Sequence, residues 1–494
     1  MMKTSNHASK YVEWKAEYNW DTCKTNRKEY GQFIAHFLTT GSRVINLDGV
    51  YGSGKTEFIR RLYIELATRG HPVVYIDVWE SDFSTNPLAV ICSELLQQIE
   101  YVFKEKTQNG KIVERRKATE VFDKLKSKLG ICLQYAAAGL QLYGDTSSAS
   151  ELATVGGIVA GTPELSAKPK PRELVEIIQK NHIEAVQAIK EIKGHITFLS
   201  HLIKSIYELN IPIVIFIDEL DRCRPSYAIE VLEVIKHFFE TEGCTFLVAT
   251  NTEVLEHSIK AVYGSEFNAK FYLRRFFDRK VKLPQVSVLD YLIARQLDFD
   301  KYKSDYIHLF PFTKNYKKNI SVFAALFESN RIELRGVEQI LNRFFASLEY
   351  VASTRMSSDV AINTIVLMVG LIEQHLEMSE LVRRQNSSDL SFSLNLDNNT
   401  NLPLAQMVDV MFKCVMQKSA KKEYLGHNQF REYSTFQPML GIKSIDFRTI
   451  DIFNGQDDAE MFRSLLSKSN EGSDCNYWMW EDHKKIIELS GHIQ

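Results

Sequence analysis

Residues 42 to 66 restrict the fold more tightly than any other part of the chain. "SRVINLDG" (42–49) is a short β-branched run closing on Asp and Gly, as a buried strand does, and "VYGSGKT" follows at once. Behind it Phe58, Ile59, Leu62, Tyr63 and Leu66 recur at helical spacing. Strand, glycine bend and helix thus form one unit, and the bend carries Gly49, Gly54, Lys55 and Thr56 in the pattern G-x-x-x-x-G-K-[ST], with Gly52 in addition. The chemistry asks for these types. Glycines let backbone N–H groups turn inward around a phosphate with no Cβ in the way. A helix starting near Lys55 points its positive end at the same anion. Lys55 would reach the β- and γ-phosphates, and the Thr56 hydroxyl would ligate Mg²⁺. Tyr51, Ser53 and Glu57 complete the candidate nucleotide-binding set.

Further strand-like runs follow: "VVYIDVW" (73–79), "PIVIFIDEL" (212–220) and "CTFLVAT" (244–250). Helical patterns separate them, for example Ile229, Leu232, Ile235, Phe238 and Phe239. Apolar strands alternating with helices predict an α/β class, a doubly wound parallel sheet covered on both faces. The order expected along the chain is a leading helical segment (1–34), the phosphate-binding core (35–285) with a helical insert at about 100–180, a helical lid (286–384) and a C-terminal region (385–494). Beyond 285 the strands are expected to stop, "AINTIVLMVGLIEQHL" (361–376) reading as a buried helix. The polar run 385–403 reads as a linker.

The insert turns from charged, "KIVERRKATEVFDKLKSK" (111–128), to small and apolar. Neither apolar piece reaches the roughly 20 residues of a membrane-crossing helix, so no span is expected. Seven scattered cysteines, without a CxxC pair or Cys/His cluster, argue against a zinc site or a disulfide framework. The N-terminus lacks a signal-peptide pattern, and the expected setting is the cytoplasm. A net charge of −2 gives no overall electrostatic footprint for nucleic acid. The basic face Arg115, Arg116, Lys117, Lys124, Lys126 and Lys128 reads either as a solvated surface or as a contact for an anionic partner, nucleic acid included.

A second candidate site lies in "PIVIFIDELDRCRP", where Asp218 ends an apolar strand, the place at which ligands of open α/β sheets collect. Asp218 would hold the Mg²⁺ shell. Glu219 is the first candidate for polarising the attacking water, with Asp221 the alternative. Cys223 is expected to pack under this turn rather than to react.

With "IDELDRCRP" and "VLEVIKHFF" the pattern becomes specific. The chain resembles the KAP family of P-loop NTPases, within the STAND branch of AAA-like signalling ATPases, over residues 20 to about 345. "WDTCKTNRKEYGQFIAHFL" is similar to the family's leading helix, "GVYGSGKTEF" to its Walker A loop and "VYIDVWESDFSTNPL" to its strand ending in Trp and acidic residues. "IFIDELDRCRP" matches its Walker B segment, and "FLVATNTEVLEHSIKAVYG" its following strand and helix, with Asn251 where the family usually has Asp. "FYLRRFFDRKVKLP" and "IELRGVEQILNRF" are similar to the segment before the lid and to a lid helix. The resemblance implies a regulated ATPase using ATP and Mg²⁺. It also implies Arg275 as an arginine finger and Arg335 as a sensor of the γ-phosphate, against the plainer reading of a solvated basic face for Arg274, Arg275, Arg279 and Lys280. Asn251 would orient water or simply form a turn. For a bacterial source the implied setting is defence against phage. A homo-oligomer and a separate effector protein are the expected partners, since no effector motif is present. The aromatic end, Tyr477, Trp478 and Trp480, would anchor that partner or close a small core.

Overall fold

The computed structural model describes residues 8–41, 43–84, 87–104, 120, 122–124, 127, 193–194, 196–205, 207–238, 241–302, 307–310, 316–354, 360–384, 391–396, 404–416, 419–426, 429–435 and 476–492. They fall into two compact units, Met1–Gln285 and Val286–Gln494.

The first unit is built on five parallel strands: β1 (Val44–Asp48), β2 (Val73–Asp77), β3 (Ile213–Asp218), β4 (Cys244–Thr250) and β5 (Arg279–Lys282), side by side as β2-β3-β4-β1-β5. The continuous apolar runs are explained by burial on both faces. On one side Ile45, Leu47, Tyr75, Val214, Phe216 and Leu247 pack with the helix Lys55–Thr68 and the N-terminal helices. On the other, Val44, Val74, Ile76, Ile213, Ile215, Ile217 and Val248 pack with helices that include Pro225–Phe238 and Thr252–Tyr263. Alternate residues of each strand therefore serve different cores. The α/β class and parallel sheet are as expected. Of the insert, only parts of its flanks are described; of its basic face, Lys124 alone is, on a helical turn and exposed. The other five basic residues lie outside the described residues.

The second unit corrects the expectation that strands stop. β6 (Ile307–Phe310), β7 (Val360–Asn363) and β10 (Asn476–Tyr477) form a parallel sheet in the order β10-β7-β6, and β8 (Ser419–Gly426) pairs antiparallel with β9 (Gln429–Thr435). The segment 361–376 accordingly divides: Ala361–Asn363 belong to β7, and the buried helix starts at Thr364, where the Asn363 side chain accepts from the N–H groups of Ile365 and Val366. That bond pattern is a helix N-cap, and it turns the chain from strand to helix within one residue. Trp478 and Trp480 are buried in this unit's core beside Phe412 and Ile487 rather than exposed as partner anchors. No described helix is long and apolar enough to cross a membrane.

Candidate nucleotide site

The bend after β1 is shaped by two left-handed glycines, Gly52 at φ 78° and Gly54 at φ 83°. Gly54 is the N-cap of the helix Lys55–Thr68, and no side chain caps that end. Its first N–H groups thus lack intrahelical acceptors and face outward, as an anion site requires. Gly49 is needed for closeness: a Cβ there would stand 2.8 Å from Ser53 Oγ and 3.1 Å from Lys55 Cγ.

Lys55 is folded back into the bend. Its Nζ donates to Gly49 O at 2.8 Å and lies 3.7 Å from Asp221 Oδ2. The Asp221 side chain is only 6% exposed, and its Oδ1 has no hydrogen-bond partner among the described residues. The Lys55 ammonium is therefore held by carbonyl oxygens and one carboxylate where a phosphate would take their place.

Thr56 sits at the first turn of the helix and donates its hydroxyl hydrogen to Glu219 Oε1 at 3.1 Å, across 163 residues of sequence. It also lies close enough to Asp218 to favour that carboxylate. A hydroxyl that gives its hydrogen to an acid keeps its lone pairs for a cation. Asp218 is fully buried at the end of β3, and its Oδ1 accepts the Glu219 N–H at 3.0 Å. Burial, with the charge of Glu219 behind it, raises its pKa to about 6. Burial likewise raises that of Glu219, opposed mainly by Arg222. Raised carboxylates packed against a hydroxyl are a donor set for a hard divalent cation, which would repay the desolvation they carry. Thr56 and Asp218 thus fit Mg²⁺.

Glu219 adopts the left-handed conformation at φ 60°. Its Oε2 accepts from Arg222 Nε at 2.6 Å. The Arg222 guanidinium in turn lies 5.2 Å from the Tyr51 ring centroid and 5.4 Å from that of Trp79, both half exposed. Tyr51 therefore touches the Walker B turn from the phosphate bend. Ser53 donates to Val50 O at 2.7 Å, while Glu57 pairs with Arg61 at 2.6 Å along the helix. Cys223 is buried, gives its thiol hydrogen to Glu219 O at 3.7 Å, and has its pKa pushed up to about 12 by burial and the surrounding carboxylates.

The remaining candidates are placed differently. Asn251 follows β4 and caps the helix Thr252–Tyr263, its Oδ1 accepting from Val254 N–H at 3.5 Å. Arg275 is exposed, with its guanidinium 5.9 Å from the Phe271 ring centroid. Lys280 pairs with Asp48 at 3.2 Å. Arg335 lies in the second unit, exposed near the start of the helix Leu334–Thr354. The described contacts tie neither Arg275 nor Lys280 to the phosphate bend.

Two residues at the site had no place in the sequence reading. Arg27 is buried and donates to Ser53 O at 2.8 Å and to Pro284 O at 2.5 Å, bracing the bend from behind. Tyr75, from β2, donates its hydroxyl hydrogen to Asp218 Oδ2 at 3.0 Å. The only trace of the second in the sequence is one hydroxyl inside an apolar run.

Residues 27–344 match the KAP family P-loop domain. No curated protein matches the chain significantly.

Proposed function

Because the chain belongs to the KAP family of P-loop domains, we propose that it binds ATP with Mg²⁺ and hydrolyses it as a regulatory switch. The observation that carries this reading is the convergence of Thr56, Asp218 and Glu219, with the Thr56 hydroxyl bonded to Glu219 at 3.1 Å. Lys55 exchanges the Gly49 carbonyl and Asp221 for the β- and γ-phosphates. Thr56 and Asp218 hold the cation, which when bound neutralises charge developing on the transferred phosphoryl group. Glu219, beside that shell, takes the proton of the attacking water. The geometry favours it over Asp221, which lies against Lys55 instead. The switch would act through oligomerisation or a separate effector protein, and phage defence is the setting that the family resemblance supports for a bacterial source.

A second reading is an ATP-gated scaffold with little turnover. It is favoured by the 2.6 Å ion pair with Arg222, which must loosen before Glu219 can serve as a base. Binding and turnover assays on the purified chain separate the two. Hydrolysis predicts turnover that depends on Mg²⁺, is lost in Lys55→Ala, and falls by roughly 10²-fold or more in Glu219→Gln while ATP binding persists. Background turnover with intact binding, with and without co-purifying partners and nucleic acid, would establish the scaffold. No binding at all would refute both.

A further inference from the structure

Asp218 is buried, and besides the nearby Thr56 hydroxyl two bonds from different places reach its two oxygens. One comes from its own turn, the Glu219 N–H; the other crosses from β2, the Tyr75 hydroxyl, 143 residues earlier. Tyr75 is itself held at every polar group. Among the described strands β2 is the outer one of the sheet on that side, so its outward main-chain groups have no partner among them. The Gln98 side chain, from the helix Pro87–Lys104, supplies one: its Nε2 donates to Tyr75 O at 2.7 Å and its Oε1 accepts the Tyr75 N–H at 3.0 Å. The phenol ring meets Trp14 edge-on at 5.0 Å. Beside it lies Arg60, of the phosphate-bend helix, whose charge acts on the Tyr75 hydroxyl. Arg60 is seated 5.0 Å from the Trp14 ring centroid and donates to Tyr18 Oη at 2.9 Å. A cation next to the phenol oxygen polarises its O–H and strengthens the donation to Asp218.

We infer that Tyr75 is a positioning residue for the metal: its hydroxyl fixes the rotation of the Asp218 carboxylate so that the remaining lone pairs face the cation's water shell. This rests on the Mg²⁺–ATP reading above. Each carboxylate oxygen has two lone pairs. The Glu219 amide takes one on Oδ1 and the Tyr75 hydroxyl one on Oδ2, which sets the direction of those that remain. With the hydroxyl removed, Oδ2 loses its anchor from β2 and the carboxylate loses that alignment. A hydroxyl present only to satisfy a buried oxygen would affect the folded state, but not the affinity for metal in particular.

The test uses Tyr75→Phe, which removes one oxygen and keeps the ring against Trp14. Nucleotide binding by the full chain is measured in EDTA and across a Mg²⁺ titration. The expected result is unchanged affinity in EDTA and a Mg²⁺ half-saturation point raised about tenfold or more, the usual range for losing a partner of a metal ligand. Added to Asp218→Asn, the substitution should shift that point no further. Arg60→Gln, which leaves the hydroxyl in place, should move it the same way by less. Should the native chain bind Mg²⁺–nucleotide and Tyr75→Phe show the native half-saturation point, the inference falls and the nucleotide reading stands. Equal losses with and without Mg²⁺, or a full additional loss in the Asp218→Asn background, also overturn it. Absence of any binding by the native chain removes both. If Tyr75→Phe does not fold, Arg60→Gln decides by the same comparison.

Discussion

Acid should loosen the second unit through one buried histidine, His483. This residue is fully buried on the C-terminal helix Trp480–Ser490. Its Nε2 accepts the Asn363 N–H at 3.1 Å and its Nδ1 lies 2.8 Å from Met479 O, so the neutral ring carrying hydrogen on Nδ1 satisfies both neighbours. A second proton would face an N–H instead of an acceptor. Burial lowers the pKa from 6.5 to about 4, against the opposing pulls of the Met479 carbonyl and Asp482. The unfolded chain binds a proton that the folded one refuses across that interval. The stability contributed by the neutral ring is therefore present above 6.5 and is lost as pH falls toward 4. At about 1.4 kcal/mol per pH unit, going from pH 7 to pH 5 should cost about 2 kcal/mol.

Hydrogen exchange of peptides covering β7 and the C-terminal helix reads the local opening free energy, once corrected for the intrinsic pH dependence of exchange. His483→Gln provides the control, since its amide can still donate to Met479 O and accept from Asn363 N–H, and it does not titrate. The variant should show a flatter pH dependence by the same amount. An opening free energy equal at the two pH values, or a variant as acid-sensitive as the native chain, would refute this account of His483.

Arg384→Ala should destabilise the second unit by about 3–5 kcal/mol, because it strands a buried carboxylate; Arg384 is 1% exposed, bonds Glu373 at 2.6 and 2.9 Å, and lies over the Phe392, Phe412 and Trp480 rings. Exchange in the same peptides measures the loss, and restoration by Glu373→Ala in the same chain would show how much of it is the unpaired charge. Gly54→Ala should destabilise the phosphate bend by about 1 kcal/mol from the left-handed backbone alone. The new Cβ would also press on Arg27 Nη1 at 3.3 Å, so ATP affinity should fall more than the melting temperature does. Unchanged affinity would mean that the bend re-forms on its own.

The sheet of the first unit was legible in β1 to β4, each an apolar run long enough to be buried on both faces, and in one bend that needs glycine where φ is positive; β5, Arg279–Lys282, is basic and largely exposed and carries no such signal. The same reading failed where those cues were short. β6 and β7 have four residues each, too few to show a period of two, and β7 is continuous in sequence with an apolar helix. Trp478 and Trp480 look alike in sequence whether they face a partner or a core. What buries them is a set of helices distant along the chain, such as Leu404–Met416. At the site, Lys55, Thr56 and Asp218 belong to motifs with a chemical rationale. Tyr75 and Arg27 act through bonds to residues 143 and 257 positions away, which no local pattern carries.

The Gln98 clamp on β2 also bears on assembly. An outer strand normally offers its N–H and C=O rows as a template on which another chain can extend the sheet. At Tyr75 both groups are already occupied, by a side chain from the same polypeptide. Growth of the sheet past β2 would have to break that amide pair and free the residue beneath Asp218, so copies that join while keeping the site intact cannot do so by extending the sheet at β2.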